Sequence, residues 1–310
     1  MAVYTRVDEA ALSALLAGYD IGTAMALEPI AQGVENSNYR LTTTVGRYVL
    51  TLYEKRVAEA DLPFFLGLMG HAARGGVSAP LPVADRRGVV LQRVAGRRAA
   101  ILGWQAGDWP RAPTCAQARA AGAALAEFHR ATAGFGMVRE NALGPDGWRR
   151  LADACGVGLD AIAPGLRGEV ERELAALAGL WPGGLARAAI HADLFPDNLL
   201  FEGDTVTGMI DFYFACTDIR AYDLAVMLGA WCFADDGAAH RPAMEAALIA
   251  GYGGLPAEET AALPLLARGA ALRFLLTRAY DWINTPEGAT VTRKDPLAYL
   301  ARLRHFQAAA

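Results

Sequence analysis

The chain has 310 residues, 54% hydrophobic and 20% charged, with a formal net charge of -4. That composition suits an ordered globular protein with enough core for two lobes and excludes a disordered chain. With 29 Lys and Arg against 33 Asp and Glu there is no basic surplus to hold nucleic acid. The apolar run near Ala225 to Ala234 is too short to cross a bilayer, so no membrane span is expected. The N-terminus has early acidic residues and no apolar h-region, which reads as no signal peptide. Cys115, Cys155, Cys216 and Cys232 lack CxxC or zinc spacing and read as buried free thiols, with the cytoplasm as the expected compartment.

In chain order, Asp8 to Gly18 reads as a short helix, with Leu12, Leu15 and Leu16 on one face. Met25 to Ala31, Asn38 to Thr44 and Arg47 to Tyr53 read as strands, with a tight turn at Val45-Gly46. Pro63 opens a helix that runs to Arg74 and stops at Gly75-Gly76. Strands near Val89 to Val94 and Arg98 to Leu102 complete a small N-terminal lobe. Gly103 to Gly107 reads as a hinge, dividing the chain into 1–103 and 104–310. Beyond it, Thr114 to Thr132, Asp146 to Cys155, Leu166 to Leu180, Ala221 to Ala234, Arg241 to Tyr252 and Glu258 to Asn284 have helical patterns. The last of these is expected to break near Pro264, and Pro296 to Phe306 closes the chain.

The richest segment is His191-Ala-Asp193-Leu-Phe-Pro-Asp-Asn198, followed thirteen residues later by Asp211-Phe212. Apolar runs flank a Gly203-Asp204 turn between the two, so the segment reads as loop, hairpin, loop. Phosphoryl transfer needs a carboxylate to orient a hydroxyl and take its proton, which Asp193 can do. It also needs oxygen ligands for magnesium, and the Asn198 amide and Asp211 carboxylate supply them. The Asp-Asn spacing matches the protein-kinase catalytic loop, which is likewise followed by an Asp-Phe. His191 completes the His-x-Asp form of aminoglycoside and choline kinases. A polar turn uses the same residue types, but it does not require the hairpin and the second Asp.

Other positions are less specific. Gly33, Asn36, Ser37 and Asn38 lie between the first strands, where backbone N–H groups can approach phosphates or form only a turn. Kinase-like folds carry a phosphate-binding Lys on the third strand. Here that slot holds Thr51, on one face with Val49, Tyr53 and, if the strand continues, Lys55. Lys55 and Arg56 otherwise read as a solvated strand end, and Glu59 and Asp61 as partners for a cation. Asp223 serves either the helix terminus it sits in or the backbone of the catalytic loop. His129, on an apolar helix, reads as a core or surface residue. No G-x-S-x-G elbow supports a hydrolase.

These motifs bring out a resemblance that runs nearly end to end. GVENSNY (Gly33 to Tyr39), LTLYEKRV (Leu50 to Val57), IHADLFPDN (Ile190 to Asn198), IDFYFACTD (Ile210 to Asp218), ALRFLLTRAYDW (Ala271 to Trp282) and KDPLAYL (Lys294 to Leu300) resemble the bacterial homoserine kinases of the aminoglycoside phosphotransferase and choline kinase type. The resemblance implies an α+β, bilobal, protein-kinase-like fold, with a small antiparallel-sheet N-lobe and a larger, mainly helical C-lobe. It also implies MgATP-dependent phosphorylation of L-homoserine, a small-molecule substrate on the route to threonine. Asp193 is similar to the family's catalytic Asp, and Asn198 and Asp211 to its magnesium ligands. A zwitterionic acceptor would need a cation for its carboxylate, with Arg273 or Arg278 as candidates. It would also need Asp218 for its ammonium, and Tyr213 or Trp282 to limit chain length. The competing readings are another small-molecule hydroxyl kinase and a non-catalytic nucleotide-binding scaffold.

Overall fold

The computed structural model describes residues 4–30, 36–54, 57–285 and 293–309. Gly33, Lys55 and Arg56 lie outside them. Helix α1 (Glu9–Leu16) begins where the Asp8 carboxylate accepts the Ala11 N–H, and it precedes strands β1 (Ala24–Pro29), β2 (Ser37–Thr43) and β3 (Arg47–Tyr53). Helix α2 (Leu62–Arg74) follows with Pro63 in its first turn and Gly75 at its C-cap. Strands β4 (Pro82–Val83), β5 (Gln92–Val94) and β6 (Arg97–Gly103) finish an antiparallel sheet ordered β1-β2-β3-β6-β4, with β5 on β6. The pleat sorts this sheet into two cores. Leu50, Leu52, Ala99 and Ile101 pack with Leu12 and Leu16 of α1 on one face. Val49, Tyr53, Ala100 and Leu102 turn the other way, toward α2 and the helical half.

The second half is helical: α3 (Cys115–Ala131), α4 (Pro145–Cys155), α5 (Gly158–Ile162), α6 (Leu166–Leu180), α7 (Arg220–Trp231), α8 (Pro242–Tyr252), α9 (Ala257–Asn284) and α10 (Leu297–Ala309). A capping box of Thr114 and Gln117 starts α3. The β content sits together: β7 (Arg187–Ile190) pairs with β10 (Cys216–Ile219), and between them β8 (Leu199–Glu202) and β9 (Thr205–Met209) form the hairpin that turns at Gly203.

Three details depart from expectation. Helix α9 does not break: Pro264 lies inside a continuous 28-residue helix. An interior proline costs about 3 kcal/mol, and the burial of Leu263, Leu266, Ala267 and the apolar residues after them offsets it. Among the described residues α9 is the one helix long and apolar enough to cross a membrane, and 61% of its apolar window is buried against its neighbours. The strand expected over Val89 to Val94 is confined to Gln92–Val94, because Asp85 draws the chain before it into a turn by accepting the Arg87 and Val89 N–H groups. Three cysteines are buried free thiols as expected, whereas Cys115 is exposed at the start of α3.

The segment after β6 is fastened to the hairpin. Asp108 and Phe201 exchange backbone hydrogen bonds at 3.1 and 2.9 Å, and the Thr207 hydroxyl donates to Ala106 O at 2.7 Å. Gly107 has φ 98°, and a Cβ there would lie 2.7 Å from Phe201 O. Gly107→Ala is therefore expected to destabilise the protein by about 1–3 kcal/mol, read as a lower urea midpoint at an unchanged m-value.

Candidate active site

Strand β7 delivers the chain to His191, and the next residues leave the sheet through Ala192, whose φ is 61°. Asp223 sets this corner. Its carboxylate, fully buried, accepts the His191 and Ala192 N–H groups, each at 2.7 Å, and pairs with His129 Nε2 at 3.1 Å. His129 Nδ1 in turn meets Tyr252 Oη at 2.9 Å. From the opposite side, the Arg273 guanidinium donates to Ala192 O. The indole of Trp231 donates to Leu194 O at 2.9 Å. The corner is thus held through its amides and its carbonyls.

Asp193 stands at the tip. Asn198 Nδ2 donates to Asp193 O at 2.7 Å and to Asp193 Oδ2 at 3.2 Å, which fixes the amide so that its Oδ1 is the acceptor left for a ligand. The Ile210 N–H bonds Asn198 O at 3.0 Å and brings Asp211 alongside. His191 Nε2–H donates to Ile210 O at 3.0 Å, so the start of the loop and the residue before Asp211 are tied together. Asp211 itself has φ 65° and opens the turn Phe212–Phe214. Phe212 is buried and packs on His191 and Phe128, with centroids 4.8 and 5.9 Å apart.

The electrostatics follow from enclosure. Burial pushes the Asp193 carboxyl up to about 8; the nearby Arg273 opposes the rise and Asp211 adds to it. Arg273 Nη2 lies 3.9 Å from Asp193 Oδ1. Burial lowers the His191 pKa, so the ring is neutral, and its Nδ1 has no hydrogen-bond partner among the described residues. His191 is fully buried, and its place is in the scaffold that holds the loop and not at the reacting atoms. An amide oxygen and a carboxylate, both hard donors held beside Asp193, fit a divalent metal ion.

The structure separates the other sequence candidates. Thr51, buried in the third-strand slot, donates to Asn38 Oδ1 at 2.8 Å across the β2–β3 ladder. Ser37 and Asn36 are committed internally. The Ser37 hydroxyl donates to Glu54 at 2.7 Å while accepting the Tyr4 and Thr5 N–H groups, and Asn36 Oδ1 accepts the Glu54 N–H. Tyr213 stacks edge-on against Tyr53 and Phe65 at 5.5 and 5.8 Å, joining β3 and α2 to the loop after Asp211. Asp218 lies opposite Ala188, farther along the β7–β10 ladder from the loop, where it accepts Asn141 Nδ2 at 2.6 Å. Trp282 carries Arg293 over its ring at 5.1 Å. Arg273 is enclosed between Phe274 and Phe214. Of the five acceptor candidates, Arg278 alone lines the cavity of about 400 Å³ beside Phe195, Pro196 and Asp197.

Sequence reasoning assigned no site role to His129 or Arg139. His129 is a lone polar residue in an apolar helix, a weak signal that such a residue serves something buried. Arg139 sits in a connector without a pattern, yet it pairs with Asp61 at 2.8 Å, donates to Ala215 O at 3.1 Å and covers the Phe65 ring.

A model of the phosphotransferase enzyme family matches residues 26–265. The chain is 55% identical to the homoserine kinase of Acidiphilium cryptum, over 99% of this chain and 98% of that one. It is 54% identical to the homoserine kinase of Azorhizobium caulinodans, over 100% and 97%. Among solved structures it resembles an amicoumacin kinase, with TM-score 0.74 and 14% identity over 98% of this chain and 94% of that one. It also resembles a microcompartment-associated aminopropanol kinase, with TM-score 0.69 and 20% identity over 97% and 98%. Likeness at such identities concerns the fold, which is that of the kinase-like phosphotransferases. The chain belongs to the phosphotransferase enzyme family and is a small-molecule kinase.

Burial by itself would raise the Asp223 pKa, but the hydrogen bonds from His129 and the His191 amide outweigh it and hold the carboxyl below its ordinary range. A depressed folded-state pKa contributes stability that is present above the unfolded value and lost as pH falls through the folded one. Asp223→Asn, which sets an amide donor against buried N–H groups, should cost about 3–5 kcal/mol at neutral pH. The deficit should narrow as the pH drops below about 4, as read by urea titrations of both proteins.

Proposed function

We propose that this chain transfers the γ-phosphoryl group of MgATP to the side-chain hydroxyl of L-homoserine, giving O-phospho-L-homoserine for threonine synthesis. The observation that carries the reading is the set Asp193, Asn198 and Asp211, in which Asn198 bonds Asp193 and the Ile210 amide beside Asp211, on a chain 55% identical over nearly its whole length to a homoserine kinase. Residues 1–103 serve as the nucleotide lobe and 104–310 as the catalytic and acceptor lobe. An ATP-consuming step on a free amino acid belongs in the cytoplasm.

Asp193 orients the acceptor hydroxyl and takes its proton at a carboxylate oxygen as the oxygen attacks phosphorus in line. The positive charge of Arg273 beside it favours the ionised carboxylate that this step needs, against the rise that burial causes. Arg273 holds the loop backbone and fixes where that oxygen stands. Asn198 Oδ1 and the Asp211 carboxylate would hold the cation, which would supply positive charge against that building on the phosphoryl oxygens in the transition state. The amicoumacin kinase was solved with AMP-PNP and Ca2+, which supports a nucleotide and a divalent cation in a cleft of this shape.

Asp193→Asn keeps the shape and removes the base. Turnover is expected to fall by roughly 10²- to 10⁴-fold, with the ATP KM and the melting temperature little changed. A coupled ADP assay reads this, and near-normal turnover would remove Asp193 from the role. Asn198→Ala and Asp211→Ala should shift the magnesium titration of activity to higher concentration; wild-type titrations in both would move the cation elsewhere. An acceptor panel of homoserine, choline, serine, threonine and an aminoglycoside, with the product identified by phosphorus NMR, tests the substrate.

A further inference from the structure

The cavity beside the catalytic loop has a chemistry that the transfer machinery leaves unused. It is walled by the segment Trp109 to Pro113, by Phe195 to Asp197, by the end of α7 with Phe233 and Asp235, and by Arg241, Arg278, Lys294 and Arg302. Its walls come from the loop and the helical half and not from the N-terminal sheet, which favours the acceptor over the nucleotide as its occupant. Five cationic residues face two carboxylates there.

The arginines are arranged unusually. Arg278 of α9 and Arg302 of α10 both stack on the Tyr299 ring, their guanidinium carbons 4.5 and 4.4 Å from its centroid. Among the described residues neither forms an ion pair. Arg278 donates to Asp295 O at 3.1 Å and Arg302 to Ala234 O at 3.2 Å. Arg302 is only 5% exposed, and its Nε has no hydrogen-bond partner. A buried guanidinium without a counter-charge is costly unless something supplies one. By contrast Arg268, Arg304 and Arg220 each meet a glutamate at 2.7–2.9 Å. Lys294 is already engaged with Asp197 at 3.7 Å.

We infer that Arg278 and Arg302, which both pack on the Tyr299 ring, form the clamp for the carboxylate of the acceptor, and that the cavity selects α-amino acids bearing a distal hydroxyl. The inference rests on the proposed reading and adds the residues that choose its substrate. Asp193 and the cavity share the loop Asp193 to Asn198, and Arg278 is near enough to Asp193 for their charges to interact. An extended homoserine spans about 5 Å from hydroxyl oxygen to carboxyl carbon, so the clamp requires its arginine donors to stand within that reach of the hydroxyl held at Asp193. Asp197, on the cavity wall and 3.7 Å from Lys294, is the carboxylate within the cavity that the ammonium could share. Two donors on separate helices suit a carboxylate, whose two oxygens each accept hydrogen bonds in its plane.

The test is steady-state kinetics of Arg278→Gln, Arg302→Gln and Arg302→Lys with L-homoserine and with 3-aminopropan-1-ol, the same molecule without its carboxylate. Each Gln variant is expected to raise the homoserine KM about thirtyfold or more, to leave the ATP KM within about twofold, and to erase the wild-type preference for homoserine over the amino alcohol. Arg302→Lys keeps the charge and the apolar stem, so it should recover part of the homoserine KM and guards against a folding defect; melting curves accompany every variant. Wild-type homoserine KM values in the Gln variants, with homoserine a good substrate, overturn the clamp and leave the activity standing. If homoserine is not phosphorylated but another hydroxy amino acid is, with the same arginine dependence, the clamp stands and the homoserine reading falls. A preferred acceptor without a carboxylate overturns both.

Discussion

One buried carboxylate fixes the geometry on which the site depends. Asp223 takes two consecutive backbone N–H groups, those of His191 and Ala192, and so turns the chain out of β7 at a residue whose φ is positive. A non-glycine residue holds such a conformation only where its surroundings demand it. Everything downstream inherits the direction chosen there. Asp193 stands at the tip of the loop, Asn198 folds back to grip it, and Ile210 bonds to Asn198 and so carries Asp211 to its place. The arrangement is costly to bury, and three donors on one anion offset the cost.

The second constraint couples the halves. Helix α2 belongs by sequence to the N-terminal part, yet Leu62, Phe65, Leu68 and Met69 share a core with the helical half. Tyr53, Phe65 and Tyr213 meet at its edge, and Arg139 pins Asp61 to Ala215. The sheet therefore grips α1 with one face and the larger core with the other. Positions along β3 alternate between the two, so Val49 and Tyr53 join the sheet to the larger core while Leu50 and Leu52 hold α1.

Much of this was legible in the sequence, because the relevant signals are local. Capping residues, glycine stops and apolar periodicity placed β3 and α6 at their observed bounds and most other elements within a residue or two. The loop-hairpin-loop pattern located Asp193, Asn198 and Asp211 because all lie within one short stretch. What could not be read was tertiary. The persistence of α9 through Pro264 depends on packing from neighbouring helices. The fates of Arg273 and Asp218 depend on which way a helix faces and which end of a two-stranded ladder a residue occupies. Ser37 and Asn36 have the composition of a phosphate loop, but their side chains close the start of β2 against Glu54. Residue type alone does not distinguish a polar group that serves a ligand from one that serves its own backbone.

The Thr51–Asn38 hydrogen bond has a consequence for control. Protein kinases assemble their phosphate site through an ion pair between a third-strand lysine and a helix glutamate, and turn it off by moving that helix. Here the strand slot holds a neutral hydroxyl satisfied within the sheet, and Leu62–Arg74 carries no acidic residue with which to pair. That helix is also embedded in the large core. Among the described residues, β3 and this helix hold no lysine–glutamate latch of the kind that arms and disarms a signalling kinase, and the embedding of the helix in the large core works against its swinging.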